Sequence, residues 1–235
     1  MQLVVWLSVM LSVLYSQETN ACPDQCSCSK SSSCNGTDVN CEGKGLSRVP
    51  TNIPTDTCIL NLKRNQITIL PDGILDTLIN LQYINLRWNL ITTLPEAIFD
   101  RLVNLLALSL RDNRITTLPR GIFDNLVNLT TLYLSNNQIT TLQKQGFGRL
   151  MKLQTIAVDG NPLNCDCRLV AFLGFAESRT LTLKISKEPS CQSPLNLKGT
   201  LLKDKVLQEM VCDSGKLFIL VLQILVLNKH AFLLI

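Results

Sequence analysis

Short alternating segments of apolar and polar residues recur through the centre of the chain at a fixed spacing. The same arrangement appears five times, as "LNLKRNQI", "INLRWNLI", "LSLRDNRI", "LYLSNNQI" and "IAVDGNPL". Each segment carries one asparagine of a series with a 24-residue period: Asn65, Asn89, Asn113, Asn137 and Asn161. Alternation with period two is typical of a strand with one buried face. The pattern therefore predicts five equivalent units, each with one short strand.

Units of this length cannot bury their apolar faces alone, so we expect them to stack into a curved solenoid with a parallel sheet on its concave side. The paired apolar residues of the strands are predicted to face the core: Leu60/Leu62, Ile84/Leu86, Leu108/Leu110, Leu132/Leu134 and Ile156/Val158. The asparagines are expected to satisfy backbone groups where each strand turns away. Three phenylalanines with the same period, and a leucine in the first unit, predict an inner spine: Phe99, Phe123, Phe147 and Leu75.

The two ends of such a stack need caps, and the cysteines lie where those caps are expected. The chain has ten cysteines, of which six lie between Cys22 and Cys58 and four between Cys165 and Cys212. Residues 1–21 contain an apolar run followed by small and polar residues, which predicts a secretory signal peptide. An even cysteine count in a secreted chain favours disulfides formed in an oxidising compartment.

The repeated pattern L-x-L-x-x-N-x-I/L is the signature of leucine-rich repeats. "CPDQCSC…CEGKGLSRVPTNIP" and "NPLNCDC…CQSPLNLKGTLLKDKVLQEMVC" resemble the cysteine-rich flanks of extracellular leucine-rich-repeat proteins. "LPEAIFDRLVNL" and "LPRGIFDNLVNL" resemble most closely the variable lymphocyte receptors of jawless vertebrates and related leucine-rich-repeat-only proteins. The resemblance implies an α/β solenoid: a leucine-rich-repeat horseshoe with a parallel concave β-sheet and disulfide-bonded N- and C-terminal caps.

The expected organisation has five parts: a signal peptide (1–21), an N-terminal cap (22–56), the repeats (57–160), a C-terminal cap (161–212) and a hydrophobic anchor signal or membrane segment (213–235). The resemblance implies four disulfides: Cys22–Cys28, Cys26–Cys41, Cys165–Cys191 and Cys167–Cys212. Cys34 and Cys58 fall outside the family pattern. The even total favours a Cys34–Cys58 bond, with a pair of free thiols as the alternative.

Two further departures concern the kind of receptor. The C-terminal flank resembles the type found in adhesion and guidance receptors, and the chain has no threonine-rich stalk. These features favour a germline-encoded relative over a rearranging adaptive receptor.

Strand residues beside the core leucines are predicted to point out of the concave face. Because adjacent strands lie about 4.8 Å apart, one column of side chains would place three cations together. That column contains Lys63, Arg87, Arg111, Ser135 and Asp159. With the neighbouring aromatic and polar residues, the predicted ligand-binding set is Lys63, Arg64, Tyr83, Asn85, Arg87, Trp88, Arg111, Asp112 and Tyr133.

Aromatic and arginine side chains are typical of binding hot spots, and arginine grips carboxylate, phosphate or sulfate with two hydrogen bonds. The expected partner is therefore a protein, glycan or lipopolysaccharide ligand with anionic groups. The alternative interpretation is a solvated surface on which Asp112 neutralises Arg87 or Arg111. The chain's formal net charge of +4 is too small to indicate a nucleic-acid ligand.

Several classes of chemistry are excluded by composition. The single histidine, His230, lies in the hydrophobic tail, so Ser-His-Asp and Cys-His catalysis are not expected. The oxidising context favours disulfides over zinc at "CDC", and we predict a non-enzyme without a metal or other cofactor. Two sequons, at Asn35 and Asn128, predict glycosylation.

The apolar tail contains "LFILVLQILVL" after the small cluster Asp213-Ser214-Gly215. Small residues before an apolar tail favour a glycosylphosphatidylinositol anchor signal. A spanning helix of 19 residues over Leu217–Ile235, or secretion without an anchor, are the alternatives. The sequence thus predicts an extracellular, cell-surface recognition receptor that binds ligands on its concave face in innate immunity. An adhesion or guidance protein that binds a host protein is the alternative.

Overall fold

A computed structural model of the chain describes residues 22–180, 182–183, 190–204, 207, 211–213 and 216–218. The predicted signal peptide and most of the predicted anchor segment lie outside these residues. The described part contains ten strands and one α-helix: β1 (Ser27–Lys30), β2 (Thr37–Asn40), β3 (Thr57–Asn61), β4 (Tyr83–Asn85), β5 (Ala107–Ser109), β6 (Thr131–Tyr133), β7 (Thr155–Ala157), α1 (Cys167–Ser178), β8 (Thr182–Leu183), β9 (Val211–Asp213) and β10 (Lys216–Phe218). No helix in the described ranges combines the length and apolar character needed to cross a bilayer.

Eight of these strands form one continuous sheet in chain order, from β1 to β8. β1 is antiparallel to β2, and every later neighbour is parallel. Residues 24 apart face each other, as Ile84 faces Leu108 and Leu108 faces Leu132. The predicted solenoid with a parallel concave sheet is confirmed. The sheet also extends into both caps, through β1 and β2 at one end and β8 at the other.

The core follows the alternation of the strands. All ten residues of the predicted apolar pairs are buried, with at most 2% of their surface exposed. Burying a side chain of this kind contributes about 1.5–3 kcal/mol. The stacked pairs therefore supply much of the driving force for packing one repeat on the next.

A second set of buried contacts ties consecutive repeats together through polar side chains. The asparagine ladder consists of Asn65, Asn89, Asn113, Asn137 and Asn161, all nearly buried. In each, Oδ1 accepts a hydrogen bond from a backbone N–H of the preceding repeat, and Nδ2 donates to carbonyls of its own and the preceding repeat; for Asn65 the N-terminal cap takes the place of the preceding repeat. The ladder therefore satisfies backbone groups that the strands leave unpaired, as predicted.

The convex side consists of successive turns rather than α-helices. Hydrogen bonds of the i to i+3 type close these turns, as from Asp100 N to Ala97 O at 3.0 Å and from Leu102 N to Phe99 O at 3.0 Å. Beneath them a phenylalanine spine runs through the core. Neighbouring ring centroids lie 6.3, 5.8 and 5.0 Å apart along Phe99, Phe123, Phe147 and Phe172. The fourth ring belongs to α1, so the spine continues into the C-terminal cap.

Five disulfides close the caps: Cys22–Cys28, Cys26–Cys41, Cys34–Cys58, Cys165–Cys191 and Cys167–Cys212. These are the pairs that the resemblance implies and the even cysteine count favours. Cys34–Cys58 joins the insert before β2 to the first repeat strand. Gly36 makes this approach possible, because a Cβ at that position would overlap with the carbonyl oxygen of Asp56 and crowd the sulfur of Cys58.

Removing this fifth bond with the double substitution Cys34→Ala/Cys58→Ala should lower the free energy of unfolding by about 3 kcal/mol, because it releases a loop with a sequence separation of 24 residues in the unfolded chain. Denaturant unfolding of the purified protein measures the change. An unfolding midpoint equal to that of the wild type would contradict a stabilising Cys34–Cys58 bond.

Candidate cation–tryptophan site on the concave face

The structure brings the predicted ligand-binding residues together in two adjoining areas of the concave face. The first area, called here the cation–tryptophan cluster, follows the ends of β2 to β5 and consists of Glu42, Lys63, Arg64, Arg87, Trp88, Arg111 and Asp112. The second, the tyrosine hollow, lies on the strands themselves and is lined by Ile59, Tyr83, Asn85, Ala107, Ser109 and Tyr133.

Trp88 is the centre of the cluster. The guanidinium of Arg87 lies 3.8 Å from the centroid of its ring, that of Arg64 lies 4.5 Å away, and the ammonium of Lys63 lies 5.1 Å away. Each such contact contributes about 0.5–1 kcal/mol at an exposed site. The half-buried indole thus stabilises the close arrangement of three cations. Without it, the mutual repulsion of these cations would favour a larger separation.

Two carboxylates separate these charges. Arg87 Nε donates to Asp112 Oδ2 at 2.7 Å, and Arg111 Nε lies 3.3 Å from the same oxygen. Glu42, contributed by the N-terminal cap, lies 3.2 Å from Lys63 Nζ and 3.5 Å from an Nη of Arg64. Four cations therefore face two carboxylates, and the cluster keeps a net charge of +2.

Both carboxylates titrate below their ordinary range. Burial raises the pKa of Asp112, but hydrogen bonds from Asn136 and Arg87 outweigh that effect and leave its pKa below 3.8. Hydrogen bonds from Asn61 and Lys63 lower the pKa of Glu42 below 4.5. Both groups are therefore charged at neutral pH.

A lowered pKa in the folded state means that the ion pairs of Asp112 stabilise the fold above about pH 4 and stop doing so as the pH falls through that pKa. We therefore expect Asp112→Asn to cost about 1 kcal/mol at pH 6 and progressively less as the pH falls below about 4. Unfolding midpoints of both proteins across this range measure the difference. A difference between the two unfolding midpoints that stays constant down to the lowest pH would contradict a stabilising role for the ionised Asp112.

The residues immediately before the asparagine ladder share an unusual backbone conformation. Their φ angles lie between 54° and 70° in every repeat: Arg64, Trp88, Asp112, Asn136 and Gly160. This left-handed region suits glycine, asparagine and aspartate, and it is uncommon for a bulky residue. Arg64 and Trp88 therefore occupy positions whose backbone favours other residue types.

The tyrosine hollow is an open depression of about 310 Å³. Tyr83 on β4 lies opposite Ala107 on β5, Tyr133 on β6 lies opposite Ser109 two residues further along β5, and Ile59 lies at one edge. Because Ala107 and Ser109 place only small side chains on β5, between the strands that carry the two tyrosines, the sheet surface dips at this point. Asn85 Oδ1 accepts from Arg87 N at 3.1 Å, which connects the hollow to the cluster.

The sequence predicts that the C-terminal end of the charged column faces solvent, but in the structure this end is buried. Ser135 and Asp159 are 0% and 2% exposed, and Ser135 Oγ donates to Asp159 Oδ1 at 2.5 Å. These short side chains bond to each other across neighbouring strands, so they expose little surface to a ligand. Sequence reasoning also missed Glu42, because its contact with Lys63 depends on how the cap pairs with the first repeat.

The two sequons differ in accessibility. Asn35 is exposed in the N-terminal insert. Asn128 is half-buried: its Nδ2 donates to Val103 O at 2.9 Å and its Oδ1 accepts from Lys152 Nζ at 2.7 Å. Glycosylation at both positions stays a prediction.

Comparisons with known proteins agree with this architecture. The family model described as "Leucine rich repeat" matches residues 58–115 and 104–163. Leucine-rich repeat-containing protein 3B of Danio rerio is 38% identical over 68 residues, which cover 28% of this chain and 26% of that protein. The platelet glycoprotein Ib beta chain of Homo sapiens is 41% identical over 76 residues, which cover 31% of this chain and 34% of that protein.

Among solved structures, the TLR13–ssRNA13 complex is similar with a TM-score of 0.60 and 28% identity, covering 71% of this chain and 23% of the TLR13 chain. The present chain thus spans about a third or less of each of these proteins. Because that neighbour was solved with RNA, the absence of a nucleic-acid ligand stays a prediction for this chain.

Proposed function

We propose that this chain is a cell-surface recognition receptor. It is a leucine-rich repeat protein related to Toll-like receptors and to other receptor-type, non-enzymatic members of that group, and this relationship supports the proposal. Its ligand binds on the concave face at the cation–tryptophan cluster. Innate immune recognition of microbial or other anionic surface molecules fits this surface. The same proposal includes a relationship to variable lymphocyte receptors, an extracellular location and a lipid anchor.

The observation that carries the proposal is the backbone conformation of Trp88. A left-handed conformation costs an ordinary residue roughly 1–2 kcal/mol, and asparagine or glycine would relieve much of this cost. Asn136 and Gly160 occupy the equivalent positions in later repeats. A half-buried tryptophan at this position, surrounded by cations, suits contact with a ligand better than it suits the stability of the fold.

The charge balance supports an anionic ligand. Asp112 holds Arg87 through Nε, so both terminal nitrogens of the guanidinium are oriented without being used by that bond. A guanidinium held in this way can grip a carboxylate, phosphate or sulfate with two parallel hydrogen bonds. The stacking of Arg87 on Trp88 reduces the entropy that binding would otherwise cost.

The first test is the charge reversal Arg87→Glu. We expect its binding to immobilised lipopolysaccharide or heparin, measured by surface plasmon resonance, to weaken at least tenfold, about 1.4 kcal/mol. Arg101→Glu on the convex side changes the net charge equally and should leave binding within about twofold of the wild type, since it lies away from the cluster. Equal losses in both variants would show that only overall charge matters, which contradicts a site at Arg87.

Trp88→Asn separates binding from stability. The lost ring contacts and the relieved backbone strain roughly cancel, so the unfolding midpoint should change by less than about 1 kcal/mol. Ligand binding should nevertheless fall. A variant that binds as well as the wild type would remove the main support for the proposal.

Adhesion or guidance through a host protein is the second candidate, favoured by the C-terminal flank and by the similarity to the platelet glycoprotein Ib beta chain. The same concave surface would serve it. Arg87-dependent binding to cells that lack microbial ligands would favour this candidate.

A further inference from the structure

The turns that precede β4 to β7 carry a row of exposed apolar side chains. Four of the seven large apolar residues that are exposed in the described ranges share one position of the repeat, with 44% to 66% of their surface exposed: Ile79, Val103, Val127 and Met151. Single exposed apolar residues are ordinary, but a contiguous patch of them indicates a surface that contacts another group. We call this row the apolar ridge.

The ridge is continuous from repeat to repeat. Its turns connect the phenylalanine spine, where neighbouring rings of the repeats lie 6.3 and 5.8 Å apart, to strands about 4.8 Å apart. Equivalent side chains of neighbouring repeats are therefore close enough to touch. At one end the C-terminal cap meets the ridge, since Arg179 Nη2 donates to Met151 Sδ at 2.9 Å. The open part of the ridge consists of Ile79, Val103 and Val127.

A row of polar side chains runs beside the ridge and bonds to its backbone. Asn104 Nδ2 donates to Ile79 O at 2.9 Å, and Asn128 Nδ2 donates to Val103 O at 2.9 Å. The Asn128 side chain therefore reaches back to the preceding repeat, with its nitrogen beside Val103. Lys152 Nζ donates to Asn128 Oδ1 at 2.7 Å, so both ends of this amide are held in place.

We propose that Asn128 carries an N-linked glycan whose first sugars lie on the apolar ridge and cover Val103 and Val127. Residues 128–130 read "NLT", the acceptor sequence of this modification, whereas the equivalent residues 104–106 read "NLL". One Nδ2 hydrogen of Asn128 serves the bond to Val103 O, and C1 of the first N-acetylglucosamine replaces the other. The lipid-linked oligosaccharide donor loses its diphosphate as the leaving group, and the displaced proton passes to the transferase.

The chemistry of N-acetylglucosamine suits this surface. Its methyl group and the C–H face of its ring are apolar and can lie on valine side chains, while its hydroxyls remain in water. The attachment nitrogen lies 2.9 Å from Val103 O, so the first sugar begins at the ridge. The fixed plane of the Asn128 amide limits the directions in which this sugar can leave the surface.

The test uses the full chain expressed in cultured animal cells and labelled with hydroxyl radicals, which oxidise exposed apolar side chains. Mass spectrometry after enzymatic removal of the glycan locates the oxidised residues. We expect Asn128→Gln to raise the oxidation of Val103 and Val127 at least about twofold, because the bulky glycan shields both. Ile69 is 60% exposed at a different position of the repeat, so its oxidation should stay unchanged and serves as the reference.

A matched variant moves the glycan by one repeat. Leu106→Thr, added to Asn128→Gln, creates the acceptor sequence at Asn104, whose Nδ2 lies 2.9 Å from Ile79 O. Thr130 occupies the position equivalent to Leu106, so this turn accommodates a threonine. Protection from oxidation should then appear at Ile79, again by at least about twofold. A glycan at Asn104 that leaves Ile79 unprotected would overturn the inference.

Three further results would also overturn it. The first is wild-type protein without a glycan at Asn128. The second is equal oxidation of Val127 in the wild type and in Asn128→Gln, which would show that the glycan points away from the ridge. The third is protection of Val127 that persists in Asn128→Gln and increases with protein concentration, which would show that a second copy of the chain covers the ridge.

The inference depends on the part of the proposed function that takes the chain through the secretory pathway. A glycan at Asn35 without one at Asn128 would support that pathway and contradict only the inference about the ridge. The absence of glycans from both sequons would contradict the inference and remove support for the extracellular location. Binding that depends on Arg87 is measured separately, so the recognition surface stands or fails on its own test.

Discussion

Replacing Asn113 by alanine should lower the free energy of unfolding by about 3–5 kcal/mol. Its Oδ1 accepts from Ile91 N at 3.1 Å, and its Nδ2 donates to Leu86 O at 2.9 Å and Leu110 O at 3.1 Å. Each buried group left without a partner costs about 1–3 kcal/mol. Denaturant unfolding measures the total, and amide hydrogen exchange should show the largest loss of protection in the two repeats that share these bonds.

Asn104→Ala provides a matched control. Its Nδ2 also donates to a backbone carbonyl of the preceding repeat, Ile79 O at 2.9 Å, but at an exposed position. Water can replace that bond, so the cost should stay near 1 kcal/mol. Similar losses in Asn104→Ala and Asn113→Ala would mean that burial of the ladder is not the source of its contribution.

Phe123→Ala should be comparably destabilising, by about 3–5 kcal/mol, because it removes a fully buried ring from the middle of the phenylalanine spine. The ring contacts Phe99 on one side and Phe147 on the other. Since each repeat is stabilised mainly by its neighbours, the cavity weakens two interfaces at once. Unfolding by denaturant, followed by circular dichroism, measures the loss.

Phe123→Leu tests whether this cost comes from the cavity. Leu75 occupies the equivalent position in the first repeat and is 1% exposed, so the fold accommodates a leucine there. We expect Phe123→Leu to cost roughly 1 kcal/mol, since it retains most of the buried volume. A loss as large as that of the alanine variant would indicate that the aromatic contacts, and not the filled space, dominate.

The repeating core was accessible from the sequence because it depends on two short periods. Alternation of Leu60 and Leu62 around a polar residue fixes which side of the strand is buried, and the 24-residue spacing fixes the register of neighbouring strands. Both are local properties of the chain. The position of the asparagine ladder follows from the same two periods, the alternation within a strand and the 24-residue spacing. Its role was therefore predicted along with the core.

The candidate site was predicted less completely, because its geometry depends on contacts that the repeat pattern does not encode. The pattern placed Arg87 beside Arg111 but did not specify the left-handed backbone at Trp88, which brings the indole against the arginines. Glu42 comes from the cap, whose pairing with β3 is irregular. The position of Asp159 in the repeat pattern predicts an exposed side chain. In the structure Asp159 is buried and hydrogen-bonded to Ser135.

The pairing of Arg87 with Asp112 has a consequence for how specificity can evolve in this molecule. The two residues belong to consecutive repeats, so replacement of one repeat alone would remove either the arginine or the carboxylate that orients it. A different charge arrangement at the proposed site therefore requires coordinated changes in adjacent repeats. Gene rearrangements that move the two neighbouring repeats together would preserve the pairing of Arg87 with Asp112.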